Sequence, residues 1–228
     1  MDNVFGSVKI EKKKPLRELV YDSLKKSILH GKVKAGQRLI EEAIAHQVGI
    51  SRTPVREAFH KLEQDDLVSR LAKGGFAVRK FTKEDVEEIF GIRIALESYA
   101  AYLASLHITP EKISALEKKL EESEQALKRG DEDRMVQLQT EFHDLLYKSC
   151  KSKKLIEMIN NFRDYFFRYR SALLHAPEGY KTSVAGHRRM IEAMKKKNAR
   201  EVERLVREHL ERGKEIVLNE INQGRMAP

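Results

Sequence analysis

Four residues between positions 51 and 56 have the side chains with which proteins contact nucleic acid. Ser51, Arg52, Thr53 and Arg56 stand where a capping serine and a nearby proline predict the start of a helix. Arg52 and Arg56 are four residues apart and therefore share one helix face. Arginine can bind guanine through two hydrogen bonds, whereas serine and threonine hydroxyls suit phosphates. The pattern is typical of a recognition helix whose first turns enter the major groove.

An isolated pair of arginines is more often a pair of surface charges, so the interpretation depends on the surrounding elements. A helical period of apolar residues runs from Pro15 to Gly31, and a short helix is predicted from Leu39 to His46. The helix that begins at Ser51 extends to about residue 65 with Val55, Ala58, Phe59 and Leu62 on its apolar face.

Two β-prone runs follow, at 67–71 and 76–81, joined by a glycine-containing turn. Three helices and a hairpin in this order predict a winged helix-turn-helix. Because glycine allows close backbone approach, we expect the hairpin tip to enter the minor groove or touch its phosphates. The tip residues are Lys73, Gly74 and Gly75.

The charge is concentrated in this first part of the chain. The whole chain has a formal net charge of +9, and residues 1–82 carry 17 Lys and Arg against 10 Asp and Glu. Residues 83–228 carry 27 against 25. This asymmetry favours a polyanionic partner for the first part, although charge alone is equally compatible with a solvated basic surface.

The second part of the chain has no strand signals and is predicted to be an all-α antiparallel bundle of six amphipathic helices. The expected organisation is thus mainly α, with a flexible arm at 1–13, a winged-helix DNA-binding domain at 14–82 and a helical domain at 83–224. The six predicted helices cover 83–106, 109–129, 131–150, 152–175, 181–197 and 199–222.

Other features limit the class of protein. Cys150 is the only cysteine, which excludes a disulfide within the chain and fits a reducing compartment. The sequence has no apolar run of bilayer length, and its basic N-terminus lacks the apolar region of a signal peptide. We therefore expect a cytoplasmic protein without membrane partners.

The first domain resembles the DNA-binding domain of the GntR family of regulators. The resemblance covers residues 36–80, GQRLIEEAIAHQVGISRTPVREAFHKLEQDDLVSRLAKGGFAVRK. It implies a homodimer on a short, pseudo-palindromic double-stranded operator, with Arg52 and Arg56 as principal base readers. Some relatives have an arginine where this chain has Glu42, so no DNA contact is assigned to that position.

The second domain resembles the FCD effector domain of the FadR-like branch of that family. The matching segments are RIALE at 93–97, EFH at 141–143, GHRRMIEA at 186–193 and VREHL at 206–210. Six helices rather than seven would suggest the shorter, VanR-like variety. The resemblance implies a small organic-acid effector, and a repressor that releases DNA when the effector binds.

His143, His187 and His209 lie on three different predicted helices. Three imidazoles that converge in a bundle would bind a divalent metal, zinc or nickel foremost, although a lone histidine is usually a surface or packed residue. Many relatives add an aspartate one turn before the first histidine, where this chain has Gln139. Because glutamine offers only a neutral carbonyl, we expect weaker metal binding, or a water or effector held by Gln139.

Arginines supply the charge that a carboxylate effector requires. Arg93 matches an arginine of the family and is the first candidate to bind the effector. Arg163 and Arg170 are weaker candidates, for which a solvated helix face is the simpler explanation.

Two rival functions are compatible with parts of the pattern. A three-histidine metal site could activate water in an enzyme, but Glu141, two residues from His143, points to a different helix face and no general base is evident. No nucleophile motif or phosphate loop occurs either. A nonspecific architectural DNA binder would need no effector pocket. We therefore predict a regulator and not an enzyme.

Overall fold

The computed structural model describes residues 14–29, 31–80, 82–176 and 178–223. The predicted arm at 1–13, and residue 224 at the end of the predicted second domain, lie outside these ranges. The chain forms two compact units that divide between Lys80 and Phe81.

The first unit contains three helices and a small sheet. The helices are α1 (Leu16–Leu29), α2 (Glu41–Val48) and α3 (Arg52–Gln64), and the strands are β1 (Arg38–Leu39), β2 (Val68–Arg70) and β3 (Phe76–Val78). Helix α3 buries Val55, Phe59 and Leu62, and the Phe59 ring stacks on Phe76 of β3 at a centroid distance of 4.7 Å. This contact fixes α3 against the sheet.

The turn between α2 and α3 depends on a glycine. Gly49 adopts a left-handed conformation with φ of 72°, which an L side chain rarely tolerates. The amide of Ile50 then donates to the carbonyl of Ala45 at 3.1 Å, which closes the end of α2. The chain can therefore turn sharply and begin α3 at Arg52.

The sheet has a strand that the sequence analysis did not predict. β1 pairs antiparallel with β3, so the strand order is β1-β3-β2. Leu39 was predicted to begin a helix, which is wrong, since it lies in β1 and α2 starts at Glu41. β1 has only two residues and no alternating pattern to reveal it.

The second unit consists of seven helices within the described residues. Helix α4 packs along α10, α5 packs along α6, and α9 packs against α5 and α10. Thr82 and Asp85 form a reciprocal capping box that starts α4. The helices are α4 (Lys83–Ser105), α5 (Pro110–Lys128), α6 (Glu132–Lys148), α7 (Lys153–Asn161), α8 (Arg163–His175), α9 (Gly179–Lys195) and α10 (Ala199–Asn222).

The prediction of one helix over 152–175 is wrong, because the segment is divided at Phe162 into α7 and α8. Asn160 and Asn161 precede the break, and such side chains compete with the helix for backbone hydrogen bonds. Apolar side chains are buried before and after the break, as Ile159 and Phe166 illustrate. The six-helix count that suggested the shorter variety is therefore also wrong.

Across the described residues, no helix contains an apolar stretch long enough to cross a bilayer.

Candidate functional sites

The predicted DNA-reading residues lie on the exposed face of α3. Arg52, Thr53 and Arg56 are exposed, whereas Val55 and Phe59 on the opposite face are buried. The core therefore turns the two arginines away from the unit, as a groove-reading helix requires.

Ser51 occupies the N-cap position of α3 with extended backbone, but its hydroxyl makes no capping hydrogen bond. The first amides of α3 thus receive no hydrogen bond from the Ser51 side chain, and such helix N-termini suit anions.

Arg56 has an acidic partner on the neighbouring helix. Its Nε lies 3.2 Å from Oε2 of Glu41 at the start of α2, and the Arg56 side chain remains about half exposed. The Glu41 carboxylate therefore competes with any other acceptor that approaches this Nε.

The hairpin tip has the backbone that the glycines predict. Gly74 and Gly75 adopt φ values of 82° and 83°, and Lys73 beside them is exposed. Two consecutive left-handed residues let the chain reverse in a tight turn with little side-chain bulk.

The second candidate site is a cluster of three histidines in the second unit. His143 on α6, His187 on α9 and His209 on α10 each place a ring nitrogen within 4.8 Å of the others. Nε2 of His143 lies 3.0 Å from Nε2 of His187, close enough for both nitrogens to bind one ion. His143 and His187 are buried and His209 is half-buried.

Two buried polar atoms beside this cluster have no hydrogen-bond partner among the described residues, namely His187 Nδ1 and Gln139 Oε1. Gln139 lies one turn before His143 on α6, and its amide Nε2 donates to Ser123 Oγ at 2.9 Å. Ser123 in turn lies 3.2 Å from the Tyr180 hydroxyl. An unpartnered buried acceptor beside three imidazoles fits a cation or a hydrogen-bond donor of a ligand.

A chain of hydrogen bonds links His143 to helix α4. Nδ1 of His143 lies 3.0 Å from the Tyr147 hydroxyl, which donates to the Glu97 carboxylate. Arg93 Nε donates to the other Glu97 oxygen at 2.9 Å. With Nδ1 protonated, His143 keeps the lone pair of Nε2 for the cluster.

Charge is also concentrated here. Burial raises the pKa of the Glu97 carboxyl, but Arg93, Arg170 and the Tyr147 hydroxyl outweigh it and hold that pKa below its usual range. Two buried guanidinium groups therefore share the Glu97 carboxylate. The solvated-face interpretation of Arg170 is wrong, since its side chain is buried on α8.

The two predicted effector residues Arg93 and Arg163 lie in different environments. Arg93 is buried, paired with Glu97, and its guanidinium lies over the rings of Phe90 and Phe166. Arg163 lies at the surface, half-exposed, in an ion pair with Asp144.

The three histidines are held neutral. Burial, followed by nearby cations, places the pKa of His143 well below its usual value, and burial with the neighbouring His209 and Arg170 does the same for His187. Burial and Arg93 lower the pKa of His209 to about 4. Neutral imidazoles are the form that binds metal.

These pKa values predict that the metal-free protein loses stability as the pH falls below about 6.5, the pKa of an unfolded histidine. Between that pH and the lower folded pKa values the unfolded state binds more protons, so acidification favours unfolding. Urea titrations at pH 7 and pH 5 in the presence of chelator measure the loss. It should shrink in His209→Gln and persist in His107→Gln, which changes an exposed histidine; equal losses in all three proteins would contradict the prediction.

The sequence analysis missed Glu97, Tyr147 and Ser123. The spacing of two of them could have predicted the contacts, because Glu97 follows Arg93 by four residues and Tyr147 follows His143 by four, which places each pair on one helix face. Ser123 lies on another helix and only the tertiary structure identifies it. Ser152 caps α7, since its hydroxyl accepts from the Leu155 amide.

Two families match this chain. Residues 16–78 match the family described as "Bacterial regulatory proteins, gntR family", and residues 88–212 match the family described as "FCD domain".

Similar proteins from two bacteria cover most of the chain. YdhC of Bacillus subtilis, an HTH-type transcriptional regulator, is 33% identical over 95% of this chain and 97% of its own length. The HTH-type transcriptional repressor RspR of Escherichia coli is 28% identical over 89% of each chain. These relatives are transcriptional regulators and not enzymes.

The fold is shared with solved structures. E. coli McbR/YncC has a TM-score of 0.73 and 26% identity, and the match covers 92% of this chain and 100% of that one. A GntR regulator from Rhodococcus sp. RHA1 has a TM-score of 0.74 at 22% identity, covering 89% and 97%. The mainly helical fold class is thereby confirmed.

Proposed function

Since the chain belongs to the GntR family of DNA-binding transcriptional regulators and has a C-terminal FCD domain, we propose that it is a repressor whose operator affinity is controlled by a small carboxylate effector and a divalent metal ion. The protein would act in the cytoplasm as a homodimer.

In the first unit, Arg52 and Arg56 would read bases in the major groove. Ser51, Thr53 and the first amides of α3 would bind phosphates. Lys73 and the glycines of the hairpin tip would contact the minor groove.

In the second unit, His143, His187 and His209 would hold the metal, zinc or nickel foremost, and Gln139 would offer its carbonyl oxygen. The unpartnered Oε1 of Gln139 supports this assignment, as does the neutral state of the imidazoles. The bound ion would supply positive charge and open positions for an anionic ligand. Tyr147 and Glu97 would fix the orientation of His143.

The effector is proposed to be an anion because the guanidinium groups of Arg93 and Arg170 are both buried near Glu97. A small carboxylate beside the metal would balance that charge. His209 lines a cleft of about 110 Å³ between α9 and α10, together with Gly186, Arg189 and Arg212, which gives this cluster a route to solvent. Arg163 is paired with Asp144 at the surface and is therefore not part of this proposed site.

The observation that carries the regulatory part is the convergence of three histidine nitrogens within 4.8 Å. Its test begins with a duplex that the wild-type protein selects from a random-sequence pool. Fluorescence anisotropy then measures affinity with chelator, with Ni²⁺ or Zn²⁺, and with the metal plus a panel of small carboxylates. We expect metal and one carboxylate together to weaken binding, and His187→Ala to abolish that response without preventing DNA binding.

An identical carboxylate response in His187→Ala would contradict the metal-dependent part of the proposal. Light scattering after gel filtration tests the dimer, for which exposed Tyr99 on α4 and Leu106 at the end of that helix provide apolar surface.

Replacing Gln139 with aspartate should raise the affinity for Ni²⁺ or Zn²⁺ about tenfold or more, because a carboxylate adds a full negative charge to the ligand set. Calorimetric titration of the metal-free protein measures the change. Gln137→Asp, on the exposed side of α6, is the control and should leave the affinity unchanged. If Gln139→Asp and the wild type bind metal with equal affinity, the side chain at position 139 is not a metal ligand.

Replacing Gly186 with alanine should weaken metal binding by about 10–100-fold, the usual cost of misorienting a metal ligand. A Cβ at this position would lie 2.7 Å from His209 Nδ1, so the imidazole must move. Gly91→Ala is the matched control, since its Cβ would meet nothing within 4 Å on helix α4. If both variants bind metal like wild type, His209 does not contribute a ligand.

A further inference from the structure

Arg38 of β1 contacts the tip of the hairpin. Its Nη2 donates to the carbonyl oxygens of Lys73 at 3.3 Å and Gly74 at 3.0 Å. One guanidinium thereby binds two consecutive carbonyls of the segment that is proposed to touch DNA. No sequence pattern assigned a role to this residue.

The position of Arg38 is fixed by the sheet. Arg38 pairs with Ala77 of β3, and Leu39 pairs with Phe76. The Leu39 carbonyl lies so close to the tip that a Cβ on Gly75 would approach it to 2.9 Å, and the same Cβ would lie 3.6 Å from Arg38 Nε. The short strand β1 therefore supports the hairpin tip from one side.

This contact holds the carbonyl side of the Gly74–Gly75 peptide and, with it, the direction of the Gly75 amide. The peptide between Gly74 and Gly75 is trans, so its N–H points opposite to its C=O. Since that C=O faces Arg38, the Gly75 N–H faces away from it. Among the described residues this N–H has no backbone acceptor, whereas the Gly74 N–H donates to the carbonyl oxygen of Leu71 at 3.0 Å.

The charge of Arg38 adds to the effect. A cation bound to a peptide carbonyl polarises the whole peptide and makes its N–H a stronger donor. An oriented, polarised amide at an exposed loop tip suits a phosphate oxygen.

We propose that Arg38 is a positioning residue for DNA recognition, which holds the hairpin tip so that the Gly75 N–H donates to a DNA phosphate at the minor-groove edge. The proposal rests on the DNA-binding role of the hairpin tip. It differs from a direct contact, in which Arg38 itself would bind the phosphate as a cation.

Lysine and methionine at position 38 separate these two mechanisms. Lysine keeps the positive charge but presents one compact ammonium, which cannot reproduce the forked geometry that spans two carbonyls. Methionine keeps an apolar stem without charge. We would measure affinity for the duplex that wild type selects from a random pool, as a function of salt, for wild type, Arg38→Lys, Arg38→Met and the control Arg17→Met on α1.

We expect about tenfold weaker binding for both Arg38 variants, in the range of one lost charge-assisted hydrogen bond, and less than twofold for the control. The salt dependence of Arg38→Lys should equal that of wild type. In the free protein, the amide NMR signals of Gly74 and Gly75 should shift in both Arg38 variants, while those of α3 stay in place, which excludes unfolding.

Wild-type affinity in Arg38→Lys would overturn the proposal in favour of a direct cationic contact. Unshifted Gly75 signals would overturn it as well. Failure of the wild-type protein to enrich any duplex would instead contradict DNA recognition itself, and this proposal with it.

Discussion

Replacing Glu97 with glutamine is expected to lower the free energy of unfolding of the second unit by about 3–5 kcal/mol, the cost of removing one partner of a buried ion pair. Glu97 is fully buried, accepts hydrogen bonds from Arg93 and Tyr147, and lies near Arg170. Glutamine is nearly isosteric but neutral, so the buried guanidinium of Arg93 would lose its ion-pair partner and that of Arg170 a nearby negative charge. Urea denaturation of the metal-free protein, followed by far-UV circular dichroism, measures the difference.

The matched control is Glu157→Gln, which removes an exposed carboxylate from its pair with Lys154. Exposed pairs contribute little, so no resolvable change is expected. If Glu97→Gln is as stable as this control, the Arg93–Glu97 pair is not a structural element of the bundle. Loss of metal affinity without loss of stability would assign Glu97 to the orientation of His143 alone.

Replacing Arg52 with alanine is expected to cost about 1–3 kcal/mol of specific binding at each half-site, the discrimination that one bidentate arginine supplies. Arg52 is exposed in the first turn of α3, away from the Phe59 core contact, so folding should be unaffected. In a dimer both half-sites lose the contact, and the selected duplex should be bound tens of times more weakly or worse. Anisotropy titration at fixed salt gives the affinity.

Arg17→Ala removes a cation from α1, where Arg17 pairs with Glu57, and serves as the charge-matched control. It should change affinity only slightly. A base substitution series in the duplex adds a second criterion, because Arg52→Ala should tolerate changes at one position that wild type rejects. Unchanged affinity and unchanged base preference would show that Arg52 does not read the DNA sequence.

Much of the first unit could be predicted from local chemistry. Gly49 and Ser51 mark the turn and the helix start, and the apolar period of α3 places Arg52 and Arg56 on the outer face. β1 could not be predicted, because two residues carry no period and their strand exists only through pairing with β3. Its consequence, the support of the hairpin tip by Arg38, was hidden for the same reason.

The second unit was likewise only partly predictable from the sequence. The three histidines were recognised through a family resemblance, and the physical argument required only that three helices bring them together. Local sequence could not predict the network around them, because Ser123, Glu97 and Arg170 come from different helices. The break at Phe162 was missed since neither glycine nor proline marks it and the apolar stripe continues across it.

The ion pair between Arg56 and Glu41 has a consequence for how the protein searches for its target. In the absence of DNA, a carboxylate of the same chain lies against the Nε of this guanidinium, where it competes with any DNA group that approaches the same atom. A phosphate and a guanine edge can each accept two hydrogen bonds from arginine, so the exchange is favoured only where the DNA adds further specific contacts. We expect this internal competitor to shorten the time spent on unrelated DNA more than the time spent on the operator, so that Glu41 promotes sliding past wrong sequences.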